Sequence, residues 1–162
     1  MNESIKRVYV DNSVVSGMFD DHMPERVAHT ERFWQAVIDG KIKIIASDVL
    51  KGEVDDAPEH VQIFFENLPE SNIERIVLSE EAKELAEQYI DKNVIGKSSL
   101  TDCRHIAIAT ITKADAVVSW NCDDMVNPNR IPKYNDVNKQ QGYQKIEILT
   151  PNQLMEVHHA ET

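Results

Sequence analysis

Acidic side chains recur at four comparable places along the chain. Asp11 ends the apolar run at Val8–Val10. Glu53 lies in the first turns after the isoleucine-rich stretch 42–46. Asp102 stands near the start of the apolar stretch 100–112, and Asp123 and Asp124 come just past residues 116–119. Carboxylates brought together repel one another, and a shared proton or a bound cation must offset that cost. An oxygen-only ligand set suits Mg²⁺ or Mn²⁺. Such ions activate water and shield a phosphodiester during in-line displacement, sometimes as a pair about 3.5–4 Å apart. Because water is then the nucleophile, no Ser–His–Asp or Cys–His pattern is required. With 28 acids in 162 residues, a single Asp at a helix start is ordinarily just a cap. It is the shared placement of four that points to a site.

The elements that would carry these acids alternate. Residues 7–10 predict a strand and 13–19 a short helix, with a break at 20–24. Residues 25–38 have helical apolar spacing, ended by Gly40. Residues 42–46 predict a second strand, after which Ser47 caps a helix carrying Val49, Leu50 and Glu53. A helix over 59–68, a strand over 75–78 and a helix from Ser79 to Ile90 follow. Residues 100–112 predict a helix and 116–119 a strand, while 127–144, with its Asn, Pro, Lys and Gln, predicts an extended loop. Residues 145–149 predict a last strand, and Thr150–Pro151 open a closing helix. Strands separated by helices imply an α/β fold with a mostly parallel sheet covered on both faces. In such sheets ligands bind at the carboxyl ends of the strands, where these acids fall. The length and the absence of repeats or Gly/Ser-rich linkers predict one domain over 1–162.

The hydrophobic fraction of 41% and charged fraction of 28% are those of an ordinary globular chain. Cys103 and Cys122 are too few for a disulfide framework or a Cys metal cluster and fit a reducing interior. No leader pattern and no apolar run near the ~18 residues of a membrane span is present, which predicts a soluble, cytoplasmic protein. The net charge of −11 argues against broad, sequence-independent nucleic-acid binding. It leaves room for a metal ion that reverses the field at one place, and it suits a cationic protein partner.

The stretches "VYVDNSVVSGMFD", "IIASDVLKGEV", "LTDCRHIAIATITKADAVVSWNCDDMVN" and "IEILTPNQLME" together resemble a PIN domain, and most closely the VapC-type toxins of bacterial toxin–antitoxin pairs. The resemblance runs through nearly the whole chain in order. It implies a three-layer PIN-like α/β fold around a mostly parallel sheet, and a metal-dependent ribonuclease using Mg²⁺ or Mn²⁺. It also implies an RNA substrate, a homodimer and inhibition by a small antitoxin. Position by position, Asp11, Glu53 and Asp102 match the family's first three acids, and Ser13 matches the small polar residue that supports the first. Where the family often has its fourth Asp, this chain has Asn121. Asp124 is the favoured fourth acid, with Asn121 as a neutral ligand or water-holder and Asp123 between them. That departure bears on a second ion, not the first.

His105 lies three residues after Asp102 and shares a helix face with it. It could orient a carboxylate or touch phosphate, but the reading favoured is a partly buried histidine making one hydrogen bond. Arg104 and Lys97–Ser99 are candidate phosphate contacts. Trp120 is either a stacking platform for a base or packing. The competing reading is a PIN-like module that acts mainly by binding a protein. A response-regulator receiver would need an acid pair after the first strand and a phosphoacceptor Asp after a middle one. A haloacid-dehalogenase phosphatase would need an Asp where Ser13 stands. Neither fits.

Overall fold

The computed structural model describes residues 5–160, apart from the side chains of 159 and 160. Five strands form one sheet: β1 (Arg7–Val10), β2 (Lys43–Ser47), β3 (Ile73–Ile76), β4 (Ala116–Val118) and β5 (Ile148–Leu149). All neighbouring pairs are parallel, in the order β3-β2-β1-β4-β5. The helices are α1 (Asn12–Ser16), α2 (Pro24–Ile38), α3 (Asp48–Asp55), α4 (Glu59–Glu66), α5 (Glu80–Asp91), α6 (Leu100–Ile111), α7 (Ile131–Gln140) and α8 (Pro151–Ala160). This is the mostly parallel, helix-covered α/β architecture expected from the alternation of elements.

The three layers follow from strand periodicity. Side chains alternate between faces along a strand, so Tyr9, Ile45 and Val117 pack with α5, α6 and α7. Val8, Val10, Ile44, Ala46, Ala116 and Val118 pack on the other face with α1–α4 and α8. Both faces are buried, which is why the central strands are almost continuously aliphatic.

Local chemistry sets the ends of the helices. The Ser47 hydroxyl accepts the Leu50 N–H at 3.1 Å and caps α3. At α8, Thr150 and Gln153 form a reciprocal capping box, with Pro151 in the first turn. Gly40, at φ +79°, ends α2 in the left-handed conformation, and the Lys41 N–H reaches back to the Ala36 carbonyl at 2.9 Å.

Three expectations need correction. Residues 127–144 are not an extended loop, because 131–140 form α7. Ile131, Tyr134 and Val137 recur at helical spacing and face the core, and Pro132 sits in the first turn, where its missing N–H costs nothing. The asparagines that suggested a loop are structural. Asn135 takes both the N–H and the C=O of Ile146, at 2.8 and 3.0 Å. That occupies backbone groups the predicted strand over 145–149 would have used, and β5 is confined to two residues. The third strand is Ile73–Ile76 rather than 75–78. Val77, 71% exposed, lies past the sheet edge, and the Leu78 N–H is held by Asp48 at 2.8 Å.

Candidate functional site

The chain runs outward from β1 to β3, then returns to the other side of β1 as β4. That reversal is a topological switch point, and it opens a crevice beyond the carboxyl ends of β1 and β4. The register pairs Val10 with Val118, so the next residues, Asp11 and Ser119, come side by side.

Asp11 is both cap and site residue. Its Oδ1 accepts the Ser13 N–H at 3.1 Å and the Ser13 hydroxyl, while its Oδ2 accepts the Ser119 hydroxyl at 2.7 Å. The Ser13 hydroxyl also accepts the Trp120 N–H at 2.8 Å, binding the segments after β1 and β4 together. The Asp11 carboxylate is only 4% exposed. Burial raises its pKa, opposed by the charge of His105 and by the two serine hydrogen bonds.

Glu53 arrives from α3. Its Oε1 accepts the backbone N–H of Asn12, the neighbour of Asp11, at 3.3 Å, and contacts His105 Nε2 at 2.8 Å. A carboxylate can only accept, so Nε2 carries the hydrogen. The other ring nitrogen, Nδ1, lies 2.5 Å from the Tyr9 hydroxyl, which lies 2.6 Å from the Ser47 hydroxyl. His105 is thus fully buried with two partners, not partly buried with one. Burial pulls its pKa down, but the hydrogen bond and charge of Glu53, with the charges of Asp11 and Asp102, outweigh that and raise it.

Asp102, the third residue of α6, is half-buried, and its carboxyl has no hydrogen-bond partner among the described residues. Its pKa rises from 3.8 to about 6, through burial first and then through Asp124, with smaller contributions from Asp11 and Glu53 and an opposing one from His105. Asp124 follows β4. Its N–H is held by Asn121 Oδ1 at 3.0 Å, and its Oδ2 accepts the Ser99 hydroxyl at 3.4 Å. The Asn121 oxygen therefore caps the local turn. Asp123 is exposed, and its backbone carbonyl accepts from Asn127. Arg104 has a buried Nε with no hydrogen-bond partner among the described residues.

Among the described residues, no three His, Cys, Asp or Glu side chains stand close enough to hold an ion in this arrangement. Two features nonetheless suit a hydrated cation. Asp102 is a half-buried carboxyl without a donor, in the field of three other acids. Asn12 Oδ1, beside Asp11, is a buried acceptor without a partner among the described residues. Both are oxygens, the donors that hard divalent ions select.

Sequence reasoning missed the parts played by Tyr9, Ser119 and Asn12, and read Ser47 only as a cap, not as a partner of Tyr9. A signal existed for two of them: Tyr9 puts a hydroxyl into an otherwise aliphatic strand, and Ser119 follows β4 as Asp11 follows β1.

No family model and no curated protein matches the chain. Solved structures do. The VapBC2 of Rickettsia felis, bound to a DNA fragment from its promoter, aligns over 89% of this chain and 98% of that one, at 12% identity and a TM-score of 0.52. VapC20 of Mycobacterium tuberculosis, a sarcin–ricin-loop-cleaving toxin, aligns over 86% and 98%, at 11% identity and a TM-score of 0.54. The chain has a VapC-like PIN fold. The five-stranded parallel order and the helices on both faces are the PIN-like architecture that the sequence resemblance implied. At these identities the likeness is one of fold. Among the described residues, no helix is long and apolar enough to cross a membrane.

Proposed function

We propose that this chain is a metal-dependent endoribonuclease acting in the cytoplasm, as the toxin of a toxin–antitoxin pair. One observation carries the reading: Glu53, from α3, is tied to the backbone of Asn12, next to the buried carboxylate of Asp11. Acids from two separate elements are thereby drawn to the switch point of a VapC-like fold. VapC20, similar in fold, is a sarcin–ricin-loop-cleaving toxin, and VapBC2 is bound to a DNA fragment from its promoter. Both support an RNA substrate and a cognate antitoxin here, and a homodimer is the expected assembly.

Asp11, Glu53, Asp102 and Asp124 would hold Mg²⁺ or Mn²⁺, directly or through water. The bound ion would polarise the scissile phosphate and lower the pKa of the attacking water. Ser13 and Ser119 fix the Asp11 carboxylate from both sides, so this group needs little reorganisation. His105 fixes Glu53, and Asn121 fixes the turn that presents Asp124. Arg104 and Asp123 would act at the margin, on phosphate and on solvent respectively.

The test is RNA cleavage with Mg²⁺ or Mn²⁺, with EDTA, and with Asp11→Asn and Asp102→Asn. Loss of cleavage in EDTA and in both variants is expected, and cleavage that survives both substitutions would sink the mechanism. The wide spacing of the acids favours a second reading, a module that mainly binds protein. Calorimetry with Mn²⁺ separates them, since no heat and no cleavage would favour the module.

A further inference from the structure

Beside the acids lies an open groove of about 410 Å³, bounded by the 3₁₀ turn Gly17–Phe19, α2, the start of α4 and the segment after β4. Its walls carry planar groups. The Arg26 guanidinium lies over the Trp120 indole, 4.7 Å from the ring centroid. The Phe19 and His60 rings meet edge to face at 4.7 Å. Ser13 and Asn121 also line the groove, and these two residues are hydrogen-bonded to Asp11 and Asp124. Groove and acids are therefore parts of one surface.

We propose that this groove seats an unstacked nucleobase of the RNA strand whose phosphodiester lies at the acids. The inference rests on the nuclease reading above and adds how the strand is held. The position of Trp120 is well defined. Its Nε1–H donates to Thr30 Oγ1 at 2.9 Å. A Cβ on Gly17 would lie 3.1 Å from both the indole and Thr30 Oγ1, tighter than ordinary contact, so the indole packs closely on the bare glycine. Packing thus fixes the indole, while Arg26 covers it with a flat cation that makes no ion pair among the described residues. Bases bind single-strand sites by stacking on aromatic rings and guanidinium planes. On a chain of net charge −11, a strand gains little from general attraction to phosphate. A stacking seat supplies affinity that does not depend on the sign of the surrounding field. Asp20, also in the wall, adds an acceptor suited to an exocyclic amino group.

The experiment compares two fluorescein-labelled pentamers by polarisation in EDTA, where hydrolysis is off: pentaadenylate and an abasic strand of the same backbone. Each is titrated with the full chain and with Arg26→Gln, Arg26→Lys and Trp120→Leu. Circular dichroism confirms folding, and the half-exposed Arg26 variants remain informative if Trp120→Leu fails to fold. The expected result is tighter binding of pentaadenylate than of the abasic strand, weakened about tenfold in each folded variant, the order of one stacking contact. Equal binding of the two strands, undiminished binding in the Arg26 variants, or no pentaadenylate binding by the wild-type chain would each overturn the seat. Undiminished binding in the Arg26 variants is also the result expected if the groove holds a protein segment instead. Base-dependent binding without metal-dependent cleavage of longer RNA would sink the nuclease reading and leave the seat standing. Cleavage without base-dependent binding would do the reverse.

Discussion

Asp102 is the group that its surroundings disfavour most openly. Its carboxyl sits half-buried, without a hydrogen-bond donor among the described residues, and is pushed up to about 6 by burial and by Asp124. A carboxyl raised above its unfolded value of 3.8 favours folding most at low pH and loses that contribution as pH rises through about 6. Asp102→Asn removes the charge and keeps the shape. In EDTA its melting temperature should therefore exceed the wild-type value at pH 7.5, by roughly 1–3 °C, and match it near pH 4. Thermal melts across that range check this, and a variant less stable at pH 7.5 would mean that Asp102 already has a compensating partner. His105 predicts the opposite sign. Its removal leaves Glu53 and the Tyr9 hydroxyl each short of a partner, so His105→Ala should cost about 1–3 kcal/mol in urea denaturation. At this scale the acids could be read from sequence, because charge at a strand exit is visible in one dimension. The role of His105 could not, since its partners Tyr9 and Glu53 are distant in sequence and meet only on the folded sheet.

Elements were legible where local rules and tertiary packing agree. Ser47 was readable as an N-cap and Ser79 as a helix start, and both hydroxyls accept an N–H three residues on, at 3.1 Å. They differ in one respect, because Ser47 also bonds the buried Tyr9 hydroxyl that leads to His105. Both Ser→Ala changes should remove about 1 kcal/mol of capping. Ser47→Ala should cost roughly 1 kcal/mol more, through the lost buried bond. Equal costs in urea titrations would show that Tyr9 draws nothing from Ser47. Helix α7 shows where local rules mislead. Asparagine disfavours helix interiors because it competes for backbone partners, but Asn138 is buried and accepts the Tyr89 hydroxyl, while Asn135 braces Ile146. Those bonds form only after α5 and the last strand have docked, so no window of sequence contains them. The edge strand β3 was displaced for a related reason: Val77 and Leu78 look strand-like, yet the register with β2 ends at Ile76.

At the scale of the whole molecule, the strand order sets Asp11 and Asp124 after neighbouring strands, and the charges of Asp124, Asp11 and Glu53 all reach Asp102 on α6. The alternation of strands and helices made the layers readable, but the place of β1 between β2 and β4 depends on crossover geometry and is not written in any segment. Like charges thus act on one another in a chain that is already strongly acidic, an arrangement that a divalent cation would relieve. Ligand that binds only the folded state stabilises it by mass action, about 2.7 kcal/mol at a hundredfold excess over the dissociation constant. Adding Mn²⁺ should therefore raise the melting temperature by several degrees at pH 7.5. The metal must also displace the proton that Asp102 holds near pH 6. The same Mn²⁺ concentration should accordingly give a clearly smaller rise at pH 5.5, and Asp11→Asn should abolish the rise at both. A shift independent of pH, or one that survives Asp11→Asn, would place the ion away from the β1/β4 junction and separate the fold from the chemistry proposed for it.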